Sequence, residues 1–245
     1  MAQQPSFEER IALTWADHFG CARDDLERPG TLVVPREHLA RSGAIHIAHI
    51  RAHAMAEIDP LLSTEIAHLL ASAGEATVLT ASELRGAMPP ERVFVADAGF
   101  IFHLDPEHLV PRTPQAPITL RRMTTGDRPA LQGLFRSCAP EEVDDAFVEV
   151  DHEIACACFE GARMVAAGSG YRRNGFMDLG VLTHPTYRGR RLAPALVSAL
   201  SRQSILKDVI PQYRCDQTNA ASRRVAEASG FTLFFITEAL KIADP

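Results

Sequence analysis

The chain has 245 residues, of which 46% are hydrophobic and 23% charged, so it can bury a substantial core in one or two domains. Its formal net charge of -6 disfavours a nucleic-acid-binding protein, and no stretch approaches the roughly 18 consecutive apolar residues of a membrane helix. Because the N-terminus lacks a basic and apolar leader, we expect a cytoplasmic protein with no nucleic-acid and no membrane partner.

Hydrophobic periodicity in the N-terminal part predicts two helices, at residues 7–19 and 61–73. Strands are predicted at 31–34, 44–58 and 99–104. The alternation over 44–58 favours one long strand, and a helix stays the alternative.

That alternative decides whether a metal site is expected. In a helix, His46, His49 and His53 would share a face, whereas in a strand His46 points away from the other two. The five cysteines are odd in number and lack C-x-x-C spacing, which disfavours both a disulfide framework and a metal site. With the strand favoured, no metal is predicted.

Three prolines in the segment PRTPQAP, residues 111–117, predict a semi-rigid linker. We therefore expect an N-terminal α/β domain at 1–110 and a second domain at 118–245.

The second domain is predicted to be α+β with a mixed sheet, because strands and helices follow one another without a strict alternation. Its strands are predicted at 118–123, 152–159, 164–172, 177–183, 212–216 and 231–240, and its helices at 127–137, 141–148, 193–207 and 220–229.

A basic loop connects the strand at 177–183 to the helix at 193–207. It contains Arg188, Gly189, Arg190 and Arg191. Backbone N–H groups at a helix N-terminus have no intrahelical partner, and the helix dipole adds to their attraction for an anion. The loop therefore predicts a phosphate-binding site.

At these residues the sequence resembles the GNAT superfamily of acetyl-CoA-dependent N-acetyltransferases. The cofactor motif of that superfamily is Arg or Gln, two residues, Gly, one residue, then Gly or Ala, and here the frame runs from Arg188 to Ala193. Arg188 and Ala193 match the motif, whereas Arg191 stands where the family usually has its middle glycine. That arginine either crowds the pyrophosphate or adds a charge to it.

A second resemblance lies at Asp216–Phe231, where Asn219 is 31 residues after Arg188. The family has there a strand, an asparagine, a helix and then Gly-Phe, which fall on 212–216, Asn219, 220–229 and Gly230-Phe231 in this sequence. Asn219 is a good helix N-cap, and Gly230 is placed to end the helix. The two resemblances together cover residues 117 to about 240.

The resemblance implies a GNAT-like mixed central sheet flanked by helices, with acetyl-CoA as co-substrate. It implies that the cofactor lies against the central strand, the basic loop and the helix after Asn219, at Val181, Leu182, Thr183, Arg188, Gly189, Arg190, Arg191, Leu192, Ala193, Asn219 and Ser222.

The catalytic groups are less clearly indicated. In many family members, a tyrosine seven residues after the motif asparagine is the general acid that protonates the leaving thiolate. Ala226 stands at that position here. For the base, Asp178 is the one carboxylate on the predicted central strand. His184 is the alternative, because it follows that strand and titrates near neutral pH.

Seven carboxylates crowd residues 141–153. If they border the acceptor site, they attract a cationic amine, either a small molecule or a basic peptide. The alternative is a solvated helix face.

The role of residues 1–110 stays open between a degenerate second GNAT-like copy covering the acceptor site and a dimerisation or stabilising domain, so a homodimer is left open. Because Ala226 and Arg191 depart from the family pattern, a non-catalytic CoA-binding or sensor module is the competing hypothesis. A nucleotide-binding P-loop is disfavoured because the sequence has no G-x-x-x-x-G-K-[ST] segment.

Overall fold

The computed structural model describes residues 5–50, 53–74 and 76–243. The helices in these ranges are α1 (Phe7–Phe19), α2 (Ser63–Ala73), α3 (Ala81–Ala87), α4 (Arg128–Phe135), α5 (Pro140–Ala146), α6 (Leu192–Leu206) and α7 (Ala220–Ala228). The strands are β1 (Gly30–Pro35), β2 (Ala44–Ile50), β3 (His53–Ile58), β4 (Val93–His103), β5 (Ile118–Arg122), β6 (Ile154–Glu160), β7 (Arg163–Arg173), β8 (Phe176–Thr183), β9 (Pro211–Asp216) and β10 (Thr232–Ile242).

The chain divides into two compact units. The first comprises Met1–Ile101 and Leu233–Pro245, and the second comprises Phe102–Thr232. The second unit includes segment 111–117, which forms neither helix nor strand and contains a cis Ala116–Pro117 peptide bond. The predicted domain limits at 110 and 118 stay a prediction.

In the first unit, β3 lies between β1 and β2, and β10 pairs with the other edge of β2. The β1–β3 pair is parallel, and the β2–β3 and β2–β10 pairs are antiparallel. Ile66 of α2 and Leu84 of α3 are fully buried against Ile45, Ile47 and Leu240 of the sheet. α1 begins at Phe7, where the sequence predicts a helix to begin, and a capping box between Ser6 and Glu9 stabilises its first turn.

The prediction of one long strand at 44–58 is wrong. β2 and β3 form an antiparallel pair in which Ile45 lies opposite Ile58 and Ile50 lies opposite His53. The apolar alternation continues from one strand into the next, and neither Gly nor Pro marks a turn between them. Residues 51–52 lie outside the described ranges.

The histidines of these strands have separate environments. His49 Nε2 lies 3.0 Å from Glu238 Oε2, and His53 Nε2 lies 3.0 Å from the sulfur of Met55. Across residues 5–50, 53–74 and 76–243, no group of three or more His, Cys, Asp or Glu is placed to hold a metal ion.

In the second unit the strand order is β9-β8-β7-β6-β5. The β8–β9 pair is parallel, and the other pairs are antiparallel. α6 packs across β6, β7 and β8, whereas α4 packs on β7 and α5 on β8. Leu131 and Leu134 of α4 share a core with Leu182 of β8. The predicted α+β fold with a mixed sheet flanked by helices is confirmed.

Candidate functional site

Strands β8 and β9 run in parallel and separate partway along their length. Their pairing ends at Leu179, opposite Tyr213, whereas β8 continues to Thr183 and β9 to Asp216. On its other side, β8 stays paired with β7 as far as Thr183. We call the resulting gap beyond Leu179 the β8/β9 opening.

The backbone groups that face this opening follow from the alternation of a strand. Met177 N–H donates to the Ile210 carbonyl, just before β9, at 2.9 Å, whereas His184 N–H donates to the Val165 carbonyl of β7 at 3.0 Å. Successive residues direct their N–H and C=O groups to opposite edges. Val181 and Thr183 therefore present their backbone groups to the opening.

Leu182 has the reverse orientation. Its backbone faces Ala167 of β7, and its side chain is buried in the core beneath α4. The structure thus brings Val181 and Thr183, but not Leu182, to the β8/β9 opening.

The basic loop follows directly from the end of β8. A short 3-10 turn, Pro185–Tyr187, leads to Gly189 at φ +78° and to Arg191 at φ +59°. Arg191 is the N-cap residue of α6, and its side chain makes no capping hydrogen bond. The first-turn N–H groups, at Leu192 and Ala193, therefore have no intrahelical partner and are available to an anion.

The position of Arg191 explains why the family pattern has glycine there. Its φ of 59° and ψ of 27° lie in the left-handed region, which glycine adopts without cost. Arg191 thus adopts a conformation that suits glycine, and its side chain is exposed.

Arg188 is already paired. Its Nη2 lies 2.8 Å from the carboxylate of Glu142 on α5, and its Nε donates to the Thr183 carbonyl at 3.4 Å. Both members of the ion pair are about half exposed. An incoming phosphate would therefore have to compete with the Glu142 carboxylate for the Arg188 guanidinium.

Arg190 has a different partner. Its guanidinium lies over the Tyr187 ring, 4.6 Å from the centroid, and 4.0 Å from Glu160. The Tyr187 hydroxyl donates to Glu160 at 2.5 Å, and this hydrogen bond raises the pKa of Tyr187. Within the described residues Arg191, unlike Arg188 and Arg190, has no ion pair.

Asn219 caps α7, as its sequence context predicts. Its Oδ1 accepts a hydrogen bond from Ser222 N–H at 2.9 Å. The Ser222 hydroxyl lies 3.0 Å from the hydroxyl of Tyr213, the residue at the closed end of the opening. Burial raises the pKa of Tyr213 to about 12, so the phenol stays protonated at neutral pH. No local pattern predicts this contact, because Tyr213 and Ser222 belong to different elements.

Asp178 is 4% exposed and held by several donors. Its Oδ2 accepts from Arg214 at 2.8 Å and from the Tyr171 hydroxyl at 3.2 Å, and its Oδ1 accepts from Gln212 at 3.4 Å. The carboxylate is therefore compensated by charge and hydrogen bonds. To act as a base, it would have to exchange one of these donors for the substrate.

His184 is buried, and both of its ring nitrogens have partners. Its Nε2 lies 2.6 Å from Arg163 Nη2, a group that only donates. The other nitrogen, Nδ1, lies 3.2 Å from the Thr186 N–H, which also only donates, and 3.0 Å from the Thr186 hydroxyl. Burial, with the charges of Arg163 and Arg188, lowers the pKa of His184. Its basic lone pair is thus occupied.

The acidic segment 141–153 is partly neutralised. Glu142 pairs with Arg188, Asp151 with Arg128 at 2.5 Å, and Glu153 with Arg172 and Lys207. The remaining carboxylates have no ion pair within the described residues and are exposed at Glu141, Asp144, Asp145 and Glu149.

Three aromatic rings that the sequence did not single out cluster beside Asp178. His152 lies 5.2 Å from Phe147 and 4.9 Å from Tyr171, centroid to centroid, and Phe147 lies 5.2 Å from Tyr171. Phe147 is 50% exposed and ends α5 with a left-handed φ of 44°. We call Phe147, His152 and Tyr171 the aromatic cluster. No periodic pattern marks these residues, since each belongs to a different element.

The mixed sheet, its flanking helices and the β8/β9 opening are those of a GNAT-type fold. Residues 151–239 match the sequence model of the family described as GNAT acetyltransferase. The C-terminal part of this chain therefore contains a GNAT-superfamily domain.

Solved structures with this fold cover most of the chain. A GCN5-related N-acetyltransferase from Kribbella flavida is 15% identical with a TM-score of 0.53, covering 96% of this chain and 95% of that one. One from Sphaerobacter thermophilus is 13% identical with a TM-score of 0.54, covering 83% and 78%. An acetyltransferase from the GNAT family of Colwellia psychrerythraea is 13% identical with a TM-score of 0.52, covering 77% and 76%.

At these identities the likeness establishes the fold alone. No curated protein matches the sequence. Among the helices of the described ranges, none has the length and apolar character needed to cross a membrane.

Proposed function

We propose that this protein transfers the acetyl group of acetyl-CoA to a primary amine. The observation that carries the proposal is the β8/β9 opening, which leads past Val181 and Thr183 to the uncapped start of α6. An extended amide-containing arm can hydrogen-bond to such an edge as an added strand does. A pyrophosphate suits the N–H groups at the helix start. The residues present therefore fit the co-substrate.

The loop arginines would have unequal roles in this binding. Arg191 has no competing ion pair within the described residues, and Arg188 would exchange Glu142 for a phosphate oxygen. Arg190 is directed towards Tyr187 and Glu160, so we expect it to contribute less. Leu192 is buried and would act through its backbone N–H alone.

At the closed end of the opening, Ser222 and Tyr213 form a pair of hydroxyl groups on the side of α7. A hydroxyl there is able to donate a hydrogen bond to a leaving thiolate. We propose that this pair provides the polar contact that Ala226 cannot.

The acceptor would be a cationic amine, from a small molecule or a basic peptide. Support comes from four exposed carboxylates of segment 141–153 that no described cation neutralises, at Glu141, Asp144, Asp145 and Glu149. Clustered carboxylates concentrate cations, and the effect weakens as salt shortens the Debye length to about 8 Å at 0.15 M.

Calorimetric titration with acetyl-CoA tests the cofactor site. Arg188→Ala should weaken binding about 10- to 100-fold, since a charge-assisted contact contributes roughly 1.5 to 3 kcal/mol. Arg202→Ala, at an exposed arginine further along α6, is the matched control and should bind as the parent does. Equal affinity in both variants would place the pyrophosphate elsewhere, and stronger protection from thermal unfolding by ATP than by CoA would favour a nucleotide site.

Turnover is tested by release of free CoA thiol with a panel of amines. The panel contains spermidine, phenethylamine, a lysine-containing basic peptide, glycinamide and glutamate. We expect faster transfer to spermidine and the basic peptide, which carry several positive charges, than to the singly charged phenethylamine and glycinamide or to glutamate. The Michaelis constant for the preferred amine should rise with ionic strength while acetyl-CoA is kept saturating. If the protein binds acetyl-CoA but releases no CoA thiol with any amine of the panel, it is instead a non-catalytic CoA-binding module.

A further inference from the structure

We infer that His152 is the base that takes the proton from the acceptor amine, in a pocket bordered by Phe147 and Tyr171. This inference rests on the proposed acetyl transfer and assigns a residue to its proton-transfer step.

The first support is the position of the aromatic cluster. Tyr171 lies opposite Asp178 on β8, and Ser169, which contacts His152, lies opposite Gly180. These β8 residues flank Leu179, where the pairing with β9 ends. His152 therefore lies one strand away from the closed end of the opening, since neighbouring strands are about 4.8 Å apart.

The second support is the face of the sheet on which the cluster lies. Side chains alternate along a strand, so Asp178 and Gly180 share a face. Any β-carbon on Gly180 would clash with the Ala146 carbonyl at the end of α5. The cluster is thus on the α5 side, whereas the Tyr213–Ser222 pair is on the side of α7. An amine could approach from one face while the co-substrate occupies the other.

The third support is the hydrogen bonding of the imidazole. His152 Nδ1 lies 2.8 Å from the Ser169 hydroxyl, which also accepts from Glu149 N–H at 3.1 Å. A hydroxyl oxygen has two lone pairs, so it can accept from both groups. With its proton on Nδ1, the ring has its Nε2 lone pair free, and no described residue bonds to Nε2. After protonation, Ser169 still accepts from Nδ1 and holds the imidazolium in place.

The other candidate bases are less available. Asp178 already accepts from Arg214 and Tyr171, and both ring nitrogens of His184 face donors, Arg163 on one side and the Thr186 N–H on the other. Each of these two groups would have to lose a partner before it could accept a proton. The Nε2 of His152 has no such partner among the described residues.

The charges around His152 are consistent with this role. Burial lowers its pKa, and the nearby Glu149 and Asp151 oppose that shift. Asp151 is itself paired with Arg128. The imidazole is therefore neutral near pH 7 and able to accept a proton.

His152 Nε2 takes one proton from the bound ammonium, and the freed nitrogen lone pair forms a bond to the acetyl carbon. The carbon–sulfur bond breaks, and its electron pair leaves with the CoA sulfur. The new amide nitrogen then loses a second proton, and this proton either neutralises the thiolate or passes to solvent.

The test is the pH dependence of kcat/KM with acetyl-CoA and the panel amine that is turned over fastest. In the parent, kcat/KM should fall at acid pH as His152 becomes protonated. His152→Gln should lower kcat/KM by roughly 10²- to 10³-fold and abolish this acid limb, with acetyl-CoA affinity unchanged. His108→Gln, at an exposed histidine of the same unit, should keep both rate and profile.

A second variant covers a folding defect in the first. Ser169→Ala keeps the imidazole but removes the acceptor of its Nδ1 proton, so the imidazolium is less stable. We expect roughly a tenfold loss in kcat and an acid limb displaced to lower pH, which a purely structural change would not produce. An active His152→Gln variant with the parent's acid limb overturns the assignment alone. A parent protein that binds acetyl-CoA but acetylates no panel amine overturns the proposed function and the assignment with it.

Discussion

The backbone conformation of Arg191 offers a test of how the basic loop is built. At φ 59° and ψ 27°, a residue with a side chain is disfavoured by about 1 to 2 kcal/mol, and glycine is not. Glycine loses more freedom on folding, which offsets about 0.4 to 1 kcal/mol. Arg191→Gly should therefore be more stable than Arg191→Ala by about 0.5 to 1 kcal/mol, or roughly 1 to 4 °C in Tm for a chain of this size.

Comparing the two variants isolates the backbone, because both remove the same guanidinium. Arg190 provides the matched control, since its φ is negative and the same pair of substitutions should there favour alanine. Urea unfolding and thermal melting measure both pairs. The interpretation fails if the glycine–alanine difference has the same sign at positions 190 and 191. In calorimetry, the two Arg191 variants should lose CoA affinity alike, because the lost charge is the same.

Two further predictions concern paired charges. Asp178→Asn should destabilise the fold by about 2 kcal/mol in urea unfolding, less than for a fully buried pair because the Arg214 side chain is 39% exposed; an equally stable variant with greatly reduced kcat would instead favour Asp178 as the base. Glu142→Gln should raise CoA affinity by up to about fivefold, since it removes an exposed carboxylate that competes for Arg188. Its control in the same titration is Glu141→Gln, because Glu141 has no ion pair among the described residues. Weaker CoA binding by Glu142→Gln would instead show that the Glu142–Arg188 pair prepares Arg188 for the phosphate.

Local sequence signals predicted the elements that surround the site. The basic loop, the Asn219 cap and the helices on either side of β9 each depend on residues close together in the sequence, so the pattern was sufficient. α3 was missed although Thr80 caps it by accepting from Glu83 N–H, because its seven residues are too few for a periodic apolar face.

The contacts that give the site its chemistry could not be predicted in this way. Arg188 and Glu142 are 46 residues apart in the sequence, and Asp178 and Arg214 are 36 apart. A basic loop and an acidic segment each suggested an exposed, ligand-binding charge. The fold pairs part of one with part of the other, and this pairing depends on α5 packing against β8.

The separation of β8 from β9 also explains why polar groups gather where a buried sheet would otherwise be apolar. Up to Leu179 the β8 backbone is bonded on both edges, and beyond it one edge has no strand partner. At the last paired positions, Tyr213 lies on one face of the sheet and Asp178 on the other, each hydrogen-bonded to a neighbouring side chain. Because these two residues are held by separate networks, Tyr213→Phe should leave the Asp178–Arg214 pair intact. Effects on the co-substrate side and on the acceptor side of the opening are therefore expected to be separable.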